Sequence, residues 1–317
     1  MFRMNEDTLM QESRCRLGEK RYQSRIASVE HLRDLQEGIE GSRARGLLNE
    51  EFYQERLTYF SFKPPEILPN AKSLIVVAPP QPKIRIVFTW HREVRPVIIP
   101  PTYVAYREAN KRVEEILSSV LNPEGYHVAQ ASLPLKLLAV RSGLGDYGRN
   151  NICYVPGMGS FHRLVAFFTD LPCPEESWRQ PQMMESCKKC QACLHSCPTS
   201  AIIANRFLIQ AERCITFHNE RVGDFPAWIA PSWHNCLVGC LRCQMVCPQN
   251  ADFREWVEDA EVFSEIETTL LLRRVSPDSL PSEVVKKLGR LDLLEYSDIL
   301  GRNLDALLSR EERNQSS

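Results

Sequence analysis

Nine of the twelve cysteines in this 317-residue chain fall in one stretch: Cys187, Cys190, Cys193, Cys197, Cys214, Cys236, Cys240, Cys243 and Cys247. The stretch opens with C-x2-C-x2-C-x3-C-P, Cys187 to Pro198, and closes with C-x2-C-x3-C-P, Cys240 to Pro248. Thiolates at these intervals are iron ligands. Two-residue gaps let a tight loop wrap three corners of a [4Fe–4S] cube. A three-residue gap followed by proline then turns the chain towards a neighbouring site. Zinc sites also use C-x2-C pairs, but they close with a distant second pair and seldom carry three cysteines at these gaps. A disulfide framework calls for an oxidising compartment and usually a shorter chain. Free structural cysteines have no reason to cluster. Two clusters read best.

The opening run has the spacing of bacterial ferredoxins, in which three thiolates hold one cube and the fourth reaches across to a second. By that crossing rule Cys187, Cys190 and Cys193 share a cluster with Cys247, while Cys240 and Cys243 join Cys197 on the other. The second cluster then lacks one ligand, and Cys214 and Cys236 both stand within reach in sequence. Cys236, four residues ahead of Cys240, reads equally as a free buried thiol.

The length supplies material for one large domain or two to three smaller ones. A formal charge of −1 and the lack of a basic stripe give nucleic acid no bulk electrostatic footing. No apolar run approaches the roughly 18 residues of a membrane helix. The opening Met1-Phe2-Arg3-Met4-Asn5-Glu6-Asp7 lacks an apolar signal core and a twin-arginine export signal. A cytoplasmic location is expected, where thiols stay reduced.

The elements that must position these thiols read as an α+β fold with helical termini and an inserted or appended bacterial-ferredoxin-like two-cluster module. In residues 1–70, the stretch 5–60 is charge-rich and proline-free. Ile26, Val29, Leu32, Leu35 and Ile39 recur there at helical spacing, an amphipathic helical arm. Ser73 to Ala78 is continuously apolar, a buried central strand. Ile84, Ile86 and Phe88 alternate with polar residues, a half-buried strand. Pro96, Pro100 and Pro101 are breakers. Helices are expected over Tyr103–Leu121 and Leu133–Arg141, with a turn at Asn122–Gly125 and a strand at Arg163–Thr169. This alternation makes residues 71–180 an α/β domain. Residues 181–255 form the two-cluster module. Residues 256–317 form a helical segment begun by Glu261, Phe263, Ile266, Leu270 and Leu271, with a polar tail from Arg310 expected to fray.

Ahead of the cysteines, Gly143-Leu144-Gly145-Asp146-Tyr147-Gly148 matches G-x-G-x-x-G. A dinucleotide fingerprint follows a strand and opens a helix. These glycines instead follow an expected helix and precede an expected strand, Asn151 to Val155. They read as a close backbone approach to a large planar ligand, or as a tight turn.

With Arg149-Asn150, Gly159-Ser160 and Thr169-Asp170-Leu171-Pro172 behind it, this segment in front of a double-cluster module resembles the epoxyqueuosine reductases and, more distantly, the respiratory reductive dehalogenases. The cysteine module agrees through Cys187 to Ile202, Arg213-Cys214-Ile215 and Gly239-Cys240 to Pro248, and Leu300-Gly301-Arg302-Asn303 also looks family-like. The resemblance spans roughly residues 70–250. It implies a nitroreductase-like α/β core holding cobalamin without its lower base, fed with electrons by the clusters. It makes Cys214 the eighth ligand and Cys236 the spare. To the cobalamin side it carries Gly143, Gly145, Gly148, Arg149, Asn150, Arg163 and Asp170.

One departure matters. Members of that family carry a catalytic Asp ahead of the Gly-Leu-Gly. Here the region reads His127 to Pro134, and no Asp or Glu lies between Glu124 and Asp146. The proton donor for turning an epoxide into an alkene is missing, which puts tRNA as substrate in doubt. Dehalogenases use a Tyr beside a basic residue, and Tyr103, Tyr126, Lys136 and Arg141 are the residues able to supply such a pair. His127 has a proton affinity suited to neutrality. Tyr103, His127 and Lys136 are the catalytic candidates, each also readable as packed or solvent-facing. The expectation is an iron–sulfur oxidoreductase passing electrons from a ferredoxin- or flavodoxin-type donor through two [4Fe–4S] clusters to cobalamin. The substrate is a small molecule, a tRNA or a corrinoid protein. The alternatives are an electron-transfer or reductive-activation protein without substrate chemistry, and a flavin-containing reductase.

Overall fold

A computed structural model describes residues 5–19, 21–103, 105–174 and 177–315. Met1 to Met4, part of the N-terminus read as lacking a signal, lie outside them, as do Ser316 and Ser317 of the polar tail. The chain divides into two compact units: residues 1–80, 107–190 and 203–210, and residues 81–106, 191–202 and 211–317.

In the first unit α1 (Glu6–Glu19) leads to β1 (Gln23–Ser28), α2 (Leu32–Ala44), α3 (Glu50–Arg56) and β2 (Ser73–Ala78). β1, β2, β8 (Val165–Thr169) and β5 (Val128–Gln130) form an antiparallel sheet in that order. β2 is buried along its whole length. An antiparallel strand normally wets one face, but this one is covered on both. Ile75 and Val77 pack with Leu9 of α1 and with Val113, Leu117 and Val120 of α4 (Tyr106–Leu121). α5 (Leu135–Arg141), with Leu138, Ala139 and Val140 buried, also packs on β2. Next comes the hairpin of β6 (Asp146–Tyr147) and β7 (Cys153–Tyr154). The helical arm expected over residues 5–60 is interrupted, because Ile26 lies in β1 paired to β2. Over so short a stretch, apolar spacings of three and two are both satisfied, and the neighbouring strand decides between them.

In the second unit β4 (Glu93–Ile99), β3 (Lys83–Trp90) and β9 (Val257–Phe263) form a sheet, β3 antiparallel to β4 and parallel to β9. Pro96, expected to break regular structure, sits inside β4 opposite Val87. β4 is an edge strand, where a missing N–H is tolerated. Glu261 and Phe263, expected to begin a helix, lie in β9. The helix α9 (Glu265–Leu272) starts only after Ser264, whose hydroxyl accepts from the Glu267 N–H at 3.3 Å while the Glu267 carboxylate accepts from the Ser264 N–H at 2.7 Å. Phe88 and Phe263 stack at 5.0 Å within a core completed by α10 (Ser282–Arg290) and α11 (Ser297–Gln315). α11 carries helix through Gln315, past the expected fraying point. Three short helices, α6 (Ala192–Ser196), α7 (Ile215–Asn219) and α8 (Arg242–Met245), carry the cysteine stretch.

The segments 1–70, 71–180, 181–255 and 256–317 are therefore not the compact units. β1 joins β2, and β9 joins β3, across those boundaries.

Two packing constraints are open to measurement. A Cβ on Gly301 of α11 would stand 2.3 Å from the Leu271 carbonyl oxygen. Gly301→Ala is expected to destabilise the protein by about 2 kcal/mol or more, the cost of overpacking against backbone, read by denaturant titration. His162 is buried with Nε2 3.1 Å from the Cys153 carbonyl oxygen, and burial holds its pKa down to about 4. The unfolded chain protonates His near 6.5, so this stability is intact above pH 6.5 and lost as pH falls from there through 4. Comparing unfolding midpoints at pH 7 and pH 4, His162→Gln is expected to lose about 3 kcal/mol less than the wild type.

Candidate functional site

The two cysteine runs fold into the same local shape. Cys193 lies in α6 and Cys197 leaves it in extended conformation (φ −80°, ψ 109°) ahead of Pro198. Cys243 lies in α8 and Cys247 is likewise extended (φ −70°, ψ 125°) ahead of Pro248. Each run is one helical turn and an extended exit, because proline disfavours α conformation in the residue before it. α6 and α8 pack on each other, and the Ser196 hydroxyl donates to the Arg242 carbonyl at 3.4 Å.

None of the nine cysteines is joined in a disulfide. In the second unit, Cys197, Cys214 and Cys240 lie close enough to feel one another's charge. Burial first, then that neighbourhood, pushes Cys214 up to about 11, and burial pushes Cys240 in the same direction. Cys240 Sγ also accepts from the Asn235 side-chain N–H at 3.2 Å, and Thr199 Oγ1 lies 3.4 Å from Cys197 Sγ. Among the described residues, no three His, Cys, Asp or Glu side chains converge as ligands of one ion. Part-buried thiols of this kind suit an iron–sulfur core, whose positive iron reverses their reluctance to ionise. Cys236 is buried beside them, its thiol donating to Asn235 Oδ1 at 3.0 Å.

The loops that bear these thiols are irregular, and buried cations satisfy their carbonyls. Arg149, 4 % exposed, donates to the carbonyls of Cys187 at 2.5 Å, Cys190 at 3.2 Å and Ala204. In the second unit, Arg302 of α11 donates to the carbonyls of His218 at 3.1 Å and Gly223. Asn303 donates to those of Asn219 at 2.9 Å and Leu237 at 2.8 Å. The Asn219 side chain in turn holds the Gly239 carbonyl at 2.8 Å. Leu300-Gly301-Arg302-Asn303 thus braces the chain between Cys214 and Cys240. Arg254 donates to the Cys247 carbonyl at 3.1 Å.

The residues assigned to cobalamin are committed within the chain. A Cβ on Gly145 would meet the Tyr154 carbonyl oxygen at 2.5 Å, and one on Gly148 the Tyr154 ring at the same distance. Both glycines are required by the β6–β7 hairpin. Gly143 has φ +76° at the end of α5. Asn150 donates to the Tyr154 hydroxyl at 3.0 Å, and the Arg163 N–H donates to the Pro79 carbonyl at 3.0 Å. Asp170 accepts from the His127 backbone N–H at 2.7 Å, with its other oxygen 3.4 Å from His127 Nδ1.

Each catalytic candidate has partners within its own unit. Tyr103 is buried in the second unit, donates to Glu220, and lies where a Gly239 side chain would clash at 2.6 Å. His127 is exposed and paired with Asp170 at one end of β5. Lys136 opens α5 beyond the other end and donates to the Asn151 carbonyl and side chain, both at 3.0 Å. Tyr126 packs against the first unit's core, and Arg141 lies over the Trp178 ring at 5.0 Å and 3.8 Å from Asp34. Asn219, Asn235 and Arg254 escaped the sequence reading, since an isolated Asn or Arg carries no spacing signal.

Residues 186–250 match the family described as the 4Fe-4S double cluster binding domain. Among curated proteins, the epoxyqueuosine reductase of Pseudomonas aeruginosa is 33% identical over 148 residues, 45% of this chain and 40% of that protein. That of Escherichia coli is 37% identical over 114 residues, 36% of this chain and 29% of that protein. The chain thus matches less than half the length of these relatives. Among solved structures, an epoxyqueuosine reductase with an epoxyqueuosine-modified tRNA-Tyr stem loop superposes with TM-score 0.69 and 20% identity, covering 96% of this chain and 82% of that one. The Bacillus subtilis enzyme, with its catalytic loop swung out of the active site, gives TM-score 0.67 and 21% identity over similar shares, 96% and 82%. No helix among the described residues is long and apolar enough to cross a membrane. This chain is thus similar to the epoxyqueuosine reductases in sequence over 45% of its length, shares their fold over 96%, and carries a double-cluster binding domain over residues 186–250.

Proposed function

We propose that this protein is an iron–sulfur oxidoreductase of the epoxyqueuosine-reductase-like class, holding two [4Fe–4S] clusters. The observation that carries the proposal is the pair of cysteine runs of one local shape, each a helical turn with an extended exit before proline, packed on each other through α6 and α8. In this reading Cys187, Cys190, Cys193 and Cys247 hold one cluster, and Cys197, Cys214, Cys240 and Cys243 hold the other. Once bound, the clusters supply one-electron transfer. The chain's own residues do the rest: Arg149 keeps the Cys187–Cys190 loop closed, and Arg302 and Asn303 fix the backbone around Cys214 and Cys240. A cytoplasmic ferredoxin- or flavodoxin-type donor and a nitroreductase-like core belong to the same reading. Cobalamin as electron acceptor rests on the resemblance alone, and the roles of Arg149, Arg302 and Asn303 do not depend on it.

Relatives are named for epoxyqueuosine, and one of them was solved with a modified tRNA stem loop. The lack of any carboxylate between Glu124 and Asp146 weighs against the same reduction here. That lack favours a second reading: an electron carrier or reductive activator for a partner enzyme or a corrinoid protein. A flavin in the first unit is a third.

Anaerobically purified or reconstituted protein is expected to hold about eight irons per chain, and Cys193→Ala about four fewer. Zinc in place of iron would remove the proposal's foundation. The absorption spectrum of the same sample, with and without added cobalamin, separates the readings. Retained corrinoid bands support the reductase, a flavin spectrum the third reading, and clusters alone the carrier. Incubated with reductant and an epoxyqueuosine-containing stem loop, the protein is expected to give no alkene product. Turnover would mean that a proton donor outside residues 125–145 serves the reaction.

A further inference from the structure

Resting on the cluster reading above, we infer that Asn235 and Cys236 form a relay that sets the reduction potential of the cluster held by Cys240. The ninth cysteine thereby becomes a positioning residue and not a spare. The side-chain N–H of Asn235 donates to Cys240 Sγ at 3.2 Å. Oδ1 at the other end of that amide is fixed by two donors, the Leu241 backbone N–H at 2.9 Å and the Cys236 thiol at 3.0 Å. An amide side chain has two orientations related by a flip that exchanges oxygen and nitrogen. Flipping Asn235 would aim its N–H groups at two donors and its oxygen at the ligand sulfur. The two donors therefore hold it in the orientation that faces N–H towards sulfur.

Cys236 can fill this role because of where it sits. Its side chain is 1 % exposed, so the thiol is the donor to hand in a place that bulk water does not reach. Its own carbonyl takes the Asn219 side chain at 3.4 Å, and the next carbonyl, that of Leu237, takes Asn303 at 2.8 Å. The backbone on which the thiol rides is therefore fixed independently of the cluster. A thiol is a weak donor, suited to biasing an amide's orientation without becoming a strong polar demand in an apolar setting.

The consequence is electrostatic. One-electron reduction adds a negative charge that spreads onto the ligand sulfurs. An N–H aimed at such a sulfur stabilises the reduced state more than the oxidised one and raises the potential.

The test uses full-length protein with both clusters loaded anaerobically, titrated with reductant and mediators while each cluster's paramagnetic signal is followed. Asn235→Leu, neutral and of similar volume but without the N–H, is expected to lower one of the two potentials. The expected change is about tenfold in the reduction equilibrium, about 59 mV for one electron. The other potential should stay in place. Cys236→Ala is expected to lower the same potential by less with iron content unchanged, and Cys236→Ser, which retains a donor, to restore it. Two unmoved potentials in Asn235→Leu and Cys236→Ala at full iron content overturn the inference and leave the cluster reading standing. A Cys236→Ala protein short of about four irons overturns it by making Cys236 a ligand. Wild-type protein that holds no iron–sulfur cluster overturns the cluster reading, and the inference with it.

Discussion

Loops that wrap a buried inorganic core cannot satisfy their own carbonyls. A helix or sheet pairs each C=O with an N–H, but chain bent around sulfur leaves acceptors facing inward with no backbone donor. In this protein arginine and asparagine side chains fill that gap. Arg149 spans three carbonyls around Cys187 and Cys190, while Arg302, Asn303 and Asn219 serve those around Cys214 and Cys240. Arg254 and Arg213 do the same for Cys247 and Thr199. A buried cation is costly unless something offsets its charge. The carbonyl oxygens around each guanidinium offset part of that cost.

This arrangement gives the rest of each unit its task. In the first, β2 is clamped between helices on both faces, and the hairpin after α5 presents Arg149 from a turn whose glycines admit no side chain. In the second, α11 runs through the core as a strut. Its apolar face fills the space between α9 and α10, while Arg302 and Asn303 project to the cysteine loops. Gly301 lets that strut lie directly on the Leu271 carbonyl. Gly301, Arg302 and Asn303 thus each have a structural reason to be there.

The relationship to the epoxyqueuosine reductases separates scaffold from chemistry. The fold is shared over 96% of the chain and the double-cluster domain lies in residues 186–250. The stretch between β5 and α5 reads Ala131 to Pro134 and holds no carboxylate. Electron delivery needs only the thiols and their supports. Reducing an epoxide also needs a proton at a defined place, and Tyr103, His127 and Lys136 stand in three different environments. Fold likeness alone does not carry function across such a difference.

The sequence by itself determined the cluster chemistry, because ligand spacing is a local geometric property: gaps of two and three residues plus a proline are legible without knowing what lies nearby. It also determined β2, β3 and β8, where apolar content is dense enough to outvote context. Context decided the rest. Ile26 and Phe263 became strand residues because a distant strand offered hydrogen bonds, and Pro96 was admitted to β4 because that strand is an edge. Arg149, read as a cofactor contact, donates to carbonyls 38 to 55 positions away. Such pairings join residues whose separation along the chain carries no information about their separation in space. Only tertiary structure brings the donor to its acceptor, and so only it could give Asn235, Asn303 and Cys236 a physical purpose.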